Sequence, residues 1–284
     1  MNPRGGSHIR VKLLYLGVLL SITMVASFAL ATEYAANARA NGTMPFAPGE
    51  RLHFRLRWTV VPAGEATMEV LPIQTIDGQK VYHFRLTAES NSFVDLFYKV
   101  RDRIDAFASI DMTHTVKYLH KQHEGDNRKN VEVNFNWDNK SARYFDGRSS
   151  REIEIQTGTF DPLSVFYFSR MAEFEPHGLI EAPVTDGRKC VIGQARVIKR
   201  ETIHIVSGSY DTYLLEPDLK HVGGVFEKSK DAKIQLWVTA DKVHMPVKIA
   251  SKVAVGSFVA ELTAVEHAEQ PSKNIACVHP ETAD

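Results

Sequence analysis

Val131-Glu132-Val133-Asn134-Phe135-Asn136-Trp137-Asp138 alternates an apolar side chain with a polar or charged one at every step. A period of two sends successive side chains to opposite faces, so this stretch suits a β-strand with one face in a core and the other in water. The pattern recurs upstream, where Leu52, Phe54, Leu56 and Trp58 alternate with Arg51, His53, Arg55 and Arg57. Val61-Pro62-Ala63-Gly64 punctuates it, and Ala66, Met68 and Val70 resume it. Downstream, Ile234, Leu236 and Val238 lead to a turn around Ala240-Asp241-Lys242. Val247, Ile249, Val253 and Val255 then continue, followed by Phe258 and Leu262 after Gly256.

Between these runs lie Asp77-Gly78, Gly125-Asp126-Asn127, Asp146-Gly147, Asp186-Gly187 and Ser207-Gly208. Asp-Gly suits a tight hairpin because both residues tolerate positive φ. Strands at this spacing predict an all-β fold: an antiparallel meander rolled into a spiral β-roll or barrel. There is no βαβ alternation, no internal repeat and no low-complexity linker, so residues 45–266 read as a single domain. Residues 32–44 form a linker before it and residues 267–284 a polar C-terminal tail.

Two segments break the alternation. Asn91 to Tyr98 opens with a capping-box-like Ser92…Asp95 pair and places Phe93, Leu96 and Phe97 on one helical face, predicting a short helix. Asp161-Pro162 is a helix start, with a carboxylate at the N-cap and proline in the first turn. That helix is expected to run to about Phe174, before Pro176. It is apolar on more than one side, through Leu163, Phe166, Tyr167 and Met171 and again through Val165, Phe168 and Ala172. Such a helix belongs inside the roll.

The chain has 284 residues, 44% hydrophobic and 24% charged, with 34 Lys+Arg against 34 Asp+Glu. These proportions exclude a disordered, collagenous or coiled-coil protein. A net charge of zero argues against nucleic acid as a partner, because phosphate binding needs a cationic excess. Arg4, Arg10 and Lys12 precede an apolar run from Leu13 to Leu30 that ends in Ala29-Leu30-Ala31. Residues 1–31 therefore read as a secretory signal peptide, cut after Ala31 or, at the second small-x-small triplet, after Ala40. The alternative is an uncleaved inner-membrane anchor. Removing residues 1–31 takes away three cations and no anion, leaving 31 Lys+Arg against 34 Asp+Glu, a net of −3. After cleavage no further stretch is long and apolar enough to span a bilayer. The expected location is the periplasm.

The runs NSFVDLFYKVRDRI (Asn91 to Ile104), DPLSVFYFSR (Asp161 to Arg170) and Glu216 to Glu261 resemble a bacterial family of exported proteins, domain of unknown function DUF3108. The opening PFAPGERLHFRLRWTVVPAGEATMEV fits as well, and the resemblance spans about residues 45–265. It implies a spiral β-roll in the Gram-negative periplasm and an association with the cell envelope. It carries over no catalytic residue. The two cysteines and the tail after Glu266 depart from the family's pattern.

Candidate chemistry is sparse. Cys190 and Cys277 are a candidate disulfide, left open because Cys277 lies in the polar tail. His114, His120 and His123 fall near Glu124, but a strand spacing of three sends His120 and His123 to opposite faces. These histidines are expected to be exposed at a hairpin, and no metal site is expected. No Gly-x-Ser-x-Gly elbow occurs. The pairs Asp102/Asp105 and Glu152/Glu154 read as solvated faces in preference to hydrolytic carboxylates. Arg51, Arg55 and Arg57 could meet phosphate or uronate groups, or only water. On the next cationic strand Arg101 and Arg103 share a face and Asp102 points the other way, where burial would demand a partner.

The loop from Glu216 to Phe226 carries Asp218, Lys220 and Gly223-Gly224, and reads either as functional or as a bulged corner. The ligand-binding candidates are accordingly Arg101, Asp102, Arg103, Asp218 and Lys220, with the helical aromatics Phe93, Phe97, Phe166 and Phe168 placed like lids over an apolar interior. No catalytic residue and no cofactor is expected. The expected function is that of a non-enzymatic envelope protein binding an amphipathic or anionic lipid or glycan, or an envelope partner protein. The alternatives are a glycan hydrolase or transferase and a pure protein–protein scaffold.

Overall fold

A computed structural model describes residues 44–220, 232–253 and 256–267. The chain begins with β1 (Arg51–Trp58), β2 (Val61–Ile76), β3 (Gln79–Ser90) and a one-turn helix α1 (Ser92–Asp95). β4 (Arg101–Ser109), β5 (Thr115–Glu124), β6 (Asn127–Asn136), β7 (Ser141–Phe145) and β8 (Ser150–Glu154) follow. Then come α2 (Pro162–Ser169), β9 (Leu179–Thr185), β10 (Cys190–Ile205), β11 (Gly208–Pro217), β12 (Lys233–Thr239), β13 (Pro246–Val253) and β14 (Gly256–Glu266). All five hairpin signals, from Asp77-Gly78 to Ser207-Gly208, lie at strand junctions. The break near Val61 is one step earlier than the sequence suggests. Thr59, at φ +56°, and Val60 make the turn, while Val61 to Gly64 already belong to β2.

These strands form one antiparallel sheet in the order β8-β7-β6-β5-β4-β3-β2-β1-β14-β13-β12-β11-β10-β9. The chain therefore starts in the middle of the sheet, with β1 between β2 and β14. It zips outward to β8 at one edge, crosses through α2, and returns from β9 at the other edge. The sheet is curled, not closed, because the two edge strands do not pair. Instead Phe160, just before α2, makes a parallel bridge to Val184 of β9. Curling brings the far strands over one another: the β9–β10 turn presses on β6 and β7. Gly187 in that turn has φ +84°, and a Cβ there would lie 2.8 Å from Val133 Cγ2 and 3.0 Å from Tyr144 Cβ. Only glycine tolerates both the conformation and the contact.

The inner face holds the core. Leu52, Phe54, Met68, Phe84, Leu86, Ile104, Val133 and Leu262 are buried there, and α2 is buried along its whole length. The Tyr167 ring stacks on Phe84 at 3.9 Å, and Phe46 packs edge-on against both. Asp161 caps α2 as its sequence indicates: Oδ1 accepts the N–H groups of Leu163 and Ser164 at 2.8 and 3.0 Å, and Oδ2 accepts the Thr115 hydroxyl at 2.6 Å.

The helix ends at Ser169, not near Phe174. His244 Nδ1 donates to the Arg170 carbonyl at 3.0 Å, so that carbonyl is taken from outside the helix. Arg170 itself is 1% exposed and meets Glu50 through two hydrogen bonds of 2.5 and 3.0 Å. Its remaining donors reach the carbonyls of Pro45 and Val243 at 2.8 and 3.1 Å. A guanidinium buried this deeply has to satisfy its donors, and here the N-terminal segment and the β12–β13 turn supply the acceptors.

Candidate functional site

Odd-numbered strands run one way, so the turns that follow them gather at one end of the curl, here the upper end. The α2 capping contacts to Glu50, Thr115, Val243 and His244 lie at the lower end. The upper end carries two features: an apolar lip outside and a polar cluster inside.

The lip is built on α1. Its N-cap is Asn91, not Ser92: Asn91 Oδ1 accepts the Val94 N–H at 2.9 Å. Asp95, the expected capping-box partner, turns instead to Arg101 at 2.6 Å and to the Ser90 hydroxyl. Those hydrogen bonds hold the Asp95 carboxyl below its ordinary range. Asn91 also donates to the Ala63 and Pro62 carbonyls at 3.0 and 2.8 Å, fixing α1 against the start of β2. Val94 faces inward. Phe93, Leu96 and Phe97 are left outside, 57%, 78% and 71% exposed, with Val60 in the neighbouring turn at 82%. Phe93 and Phe97 meet edge to face at 5.6 Å.

Inside the curl, Asp102 of β4 faces Glu124 and His120 of β5. The β4–β5 ladder runs from Ala108↔Thr115 to Arg103↔Lys121 and then lapses. Above it Asp102 Oδ1 accepts the His123 N–H at 2.7 Å, a side-chain oxygen standing where a backbone carbonyl would serve. A single bridge, Val100↔Glu124, closes the pair. Gly125, at φ +58°, then donates its N–H to the Lys99 carbonyl at 2.8 Å, and the Tyr98 ring lies 2.9 Å from where a Cβ would stand. Asp102 and Glu124 are each 2% exposed. His120 Nε2 is 3.7 Å from Asp102 Oδ2. Burial, and secondly the charge of Asp102, push the Glu124 carboxyl up to about 7.

The candidates thus separate. Arg101 and Arg103 do share the outer face, but Arg101 is committed to Asp95 and Arg103 to Asp105 at 2.6 Å. Asp105 lies outward and also accepts from His83 and Arg85, both at 2.8 Å. Against the opposing effect of burial, these bonds hold its carboxyl well below the usual range. Asp102 and Asp105 are therefore both buried, on opposite faces, and neither is a solvated surface carboxylate. Glu152 and Glu154 do line the exposed β8. The cationic strip on β1 is paired on its outer face, Arg51 with Glu69 and Glu266 and Arg57 with Glu261.

Asp218 and Lys220 pair with each other at 2.9 Å. The rest of their loop, with Gly223-Gly224, lies outside the described residues, as do Cys277 and residues 1–31, where a signal peptide is expected. Cys190 is half-buried, its Sγ 3.6 Å from Thr159 Oγ1. Phe168 stacks on Phe160 at 4.7 Å within the core. Phe166 lines a cavity of about 20 Å³ with Ser169, Ile180, Leu215 and Leu236, room for about one water.

His114 and His123 are half-buried and His120 is buried where exposed hairpin histidines are expected. Glu124 is buried on the same strand as His120. Their spacing of four on a strand, which puts them on one face, was the available signal. Among the described residues no group of three His, Cys, Asp or Glu is arranged to hold a metal ion. No described helix is long and apolar enough to cross a membrane.

Among solved structures the chain is similar in fold to a β-barrel-like protein of domain of unknown function DUF1849 from Brucella abortus. The TM-score is 0.50 at 9% identity, covering 78% of this chain and 98% of that one. A Bacteroides fragilis protein described as exported and YmcC-like in fold matches with TM-score 0.35 and 8% identity, covering 78% and 97%. A Parabacteroides distasonis protein described as a lipoprotein matches with TM-score 0.32 and 10% identity, also covering 78% and 97%. No curated protein matches by sequence. Residues 53–263 match the family model "Protein of unknown function (DUF3108)", and the chain belongs to that family.

Proposed function

We propose that the protein is an exported, non-enzymatic envelope protein that rests on an amphipathic lipid surface through the lip at its upper end. The observation that carries this reading is the exposure of Phe93, Leu96 and Phe97 on a helix held in place by Asn91 and Asp95. Large apolar side chains clustered on a fixed element mark interaction sites in soluble proteins. Burying those three, at their present exposure, is worth roughly 4 kcal/mol. That supports a weak, reversible attachment, not insertion. The leader at residues 1–31 supports the envelope as the place.

Several observations favour this over the other readings. The cavity beside Phe166 is too small for an acyl chain, so that site at α2 does not support lipid carriage. Ion pairing of Arg51 and Arg57 to glutamates leaves that strip poorly suited to an anionic glycan. The Asp102 side chain has no exposed area, which weighs against a glycan-cleaving role for it. The edge strands are poor templates for a partner strand: β8 carries Arg151, Glu152 and Glu154, and β9 contains Pro183 and meets Phe160. The test is flotation of the exported chain with vesicles of phosphatidylethanolamine and phosphatidylglycerol. The wild type is expected to float and the variant Phe93→Ser/Leu96→Ser/Phe97→Ser to stay behind. Equal flotation of both, or of neither, would sink the reading.

A further inference from the structure

At the upper end, Asp102 Oδ2, Glu124 Oε1 and His120 Nε2 are buried with no hydrogen-bond partner among the described residues. The groups around them are committed elsewhere. Arg101 and Arg103, either side of Asp102, turn outward to Asp95 and Asp105. On β6 Lys129 pairs with Asp146 at 3.2 Å and lies 5.4 Å from the centre of the Tyr144 ring of β7. In the β9–β10 turn Arg188 pairs with Asp186. On β5 Tyr118 lies further down the same face, and Gln122 is the amide beside Glu124. Among the described residues, the basic group within ion-pair distance of Asp102 is His120, at 3.7 Å, an imidazole that is a cation only when protonated. Two ionised carboxylates do not share so dry a place without a cation, so one of them keeps its proton.

We propose that Asp102 and Glu124 hold one proton between them, and that this proton is the latch of the upper β4–β5 pair. Glu124 donates to Asp102 Oδ2 while Oδ1 takes the His123 N–H, so the carboxylate bridges the gap in the backbone ladder. When the proton leaves to bulk water, two like charges face each other where one β-bridge remains, and the strands part. The push of the Glu124 carboxyl up to about 7 places that loss in the neutral range. The effect reaches the lip, because Val100 and Lys99, which bond to Ser90 and Gly125, lie between α1 and the latch.

The test is hydrogen exchange of the full exported chain at about pH 5.5 and about pH 8.5, corrected for the chemical exchange rate. Wild-type amides over residues 118–130 are expected to lose at least about tenfold of protection at the higher pH, while those of α2 do not change. Glu124→Gln, uncharged at both, is expected to show no such loss. His120 is intact in that variant, so an equal loss there would assign the effect to the histidine and overturn the proposal, as would a wild type indifferent to pH. Should Glu124→Gln not fold, carbon NMR of the wild-type carboxyl groups decides. Titration of Glu124 near neutral pH supports the latch, and titration in the ordinary acidic range overturns it.

Discussion

Replacing Arg170 with methionine should bring the protein close to unfolding. The guanidinium is 1% exposed and Glu50 5% exposed, and they meet through two hydrogen bonds of 2.5 and 3.0 Å. Methionine fills much of the stem volume but strands the Glu50 carboxylate and leaves the Pro45 and Val243 carbonyls without donors. Breaking a buried ion pair from one side costs about 3–5 kcal/mol, and each stranded carbonyl up to about 1 kcal/mol more. The total, about 3–7 kcal/mol, rivals the whole stability of a marginal domain. The double variant Glu50→Leu/Arg170→Met removes the stranded charge and should recover about 2–3 kcal/mol relative to Arg170→Met alone. Urea denaturation with an unchanged slope measures both. A loss below about 1 kcal/mol for the single variant, or a double variant as poor as the sum of its singles, would refute the claim that this pair pins α2 inside the roll.

The remaining expectations are smaller. The Glu124 carboxyl rises from its ordinary 4.5 to about 7 on folding, so the folded chain holds a proton that the unfolded chain releases. Stability from this group is therefore greatest below pH 4.5 and falls by about 3 kcal/mol as pH rises to 7; Glu124→Gln should flatten that part of a pH series of denaturation curves. Asp161→Ala removes the α2 cap and leaves the Thr115 hydroxyl without its acceptor, and should cost about 2 kcal/mol by the same assay. The lip variant Phe93→Ser/Leu96→Ser/Phe97→Ser should change stability by no more than about 0.5 kcal/mol, since those side chains are already in water. A larger loss would mean that the lip is part of the core.

Strands and turns were the legible part, because period-two alternation and Asp-Gly pairs are local and, β1 with β14 apart, paired strands are neighbours in sequence. The α2 start was legible for the same reason: Asp161 and Pro162 act within one turn. Its end was not, since the hydrogen bond that takes the Arg170 carbonyl comes from His244, far along the chain. The choice of Asn91 over Ser92 as the α1 cap depends on Asn91 also reaching Pro62 in another strand. Hairpin residues such as His120 and Glu124 normally meet solvent. Here the curl of the sheet brings the β9–β10 turn onto β6 and β7, a contact no short window of sequence contains. Phe93 and Phe97, expected as lids over the interior, lie outside it, because an apolar helical face predicts a contact without naming what supplies it.

The central claim is that the upper lip is the surface that meets lipid, and hydrogen exchange of the exported chain with and without phospholipid vesicles tests it most directly. The account predicts slowed exchange over residues 92–98 and in the adjoining turn at 58–62, with the α2 end of the molecule unchanged. A footprint confined to the lower end, or none at lipid concentrations where the protein floats with the vesicles, would contradict it.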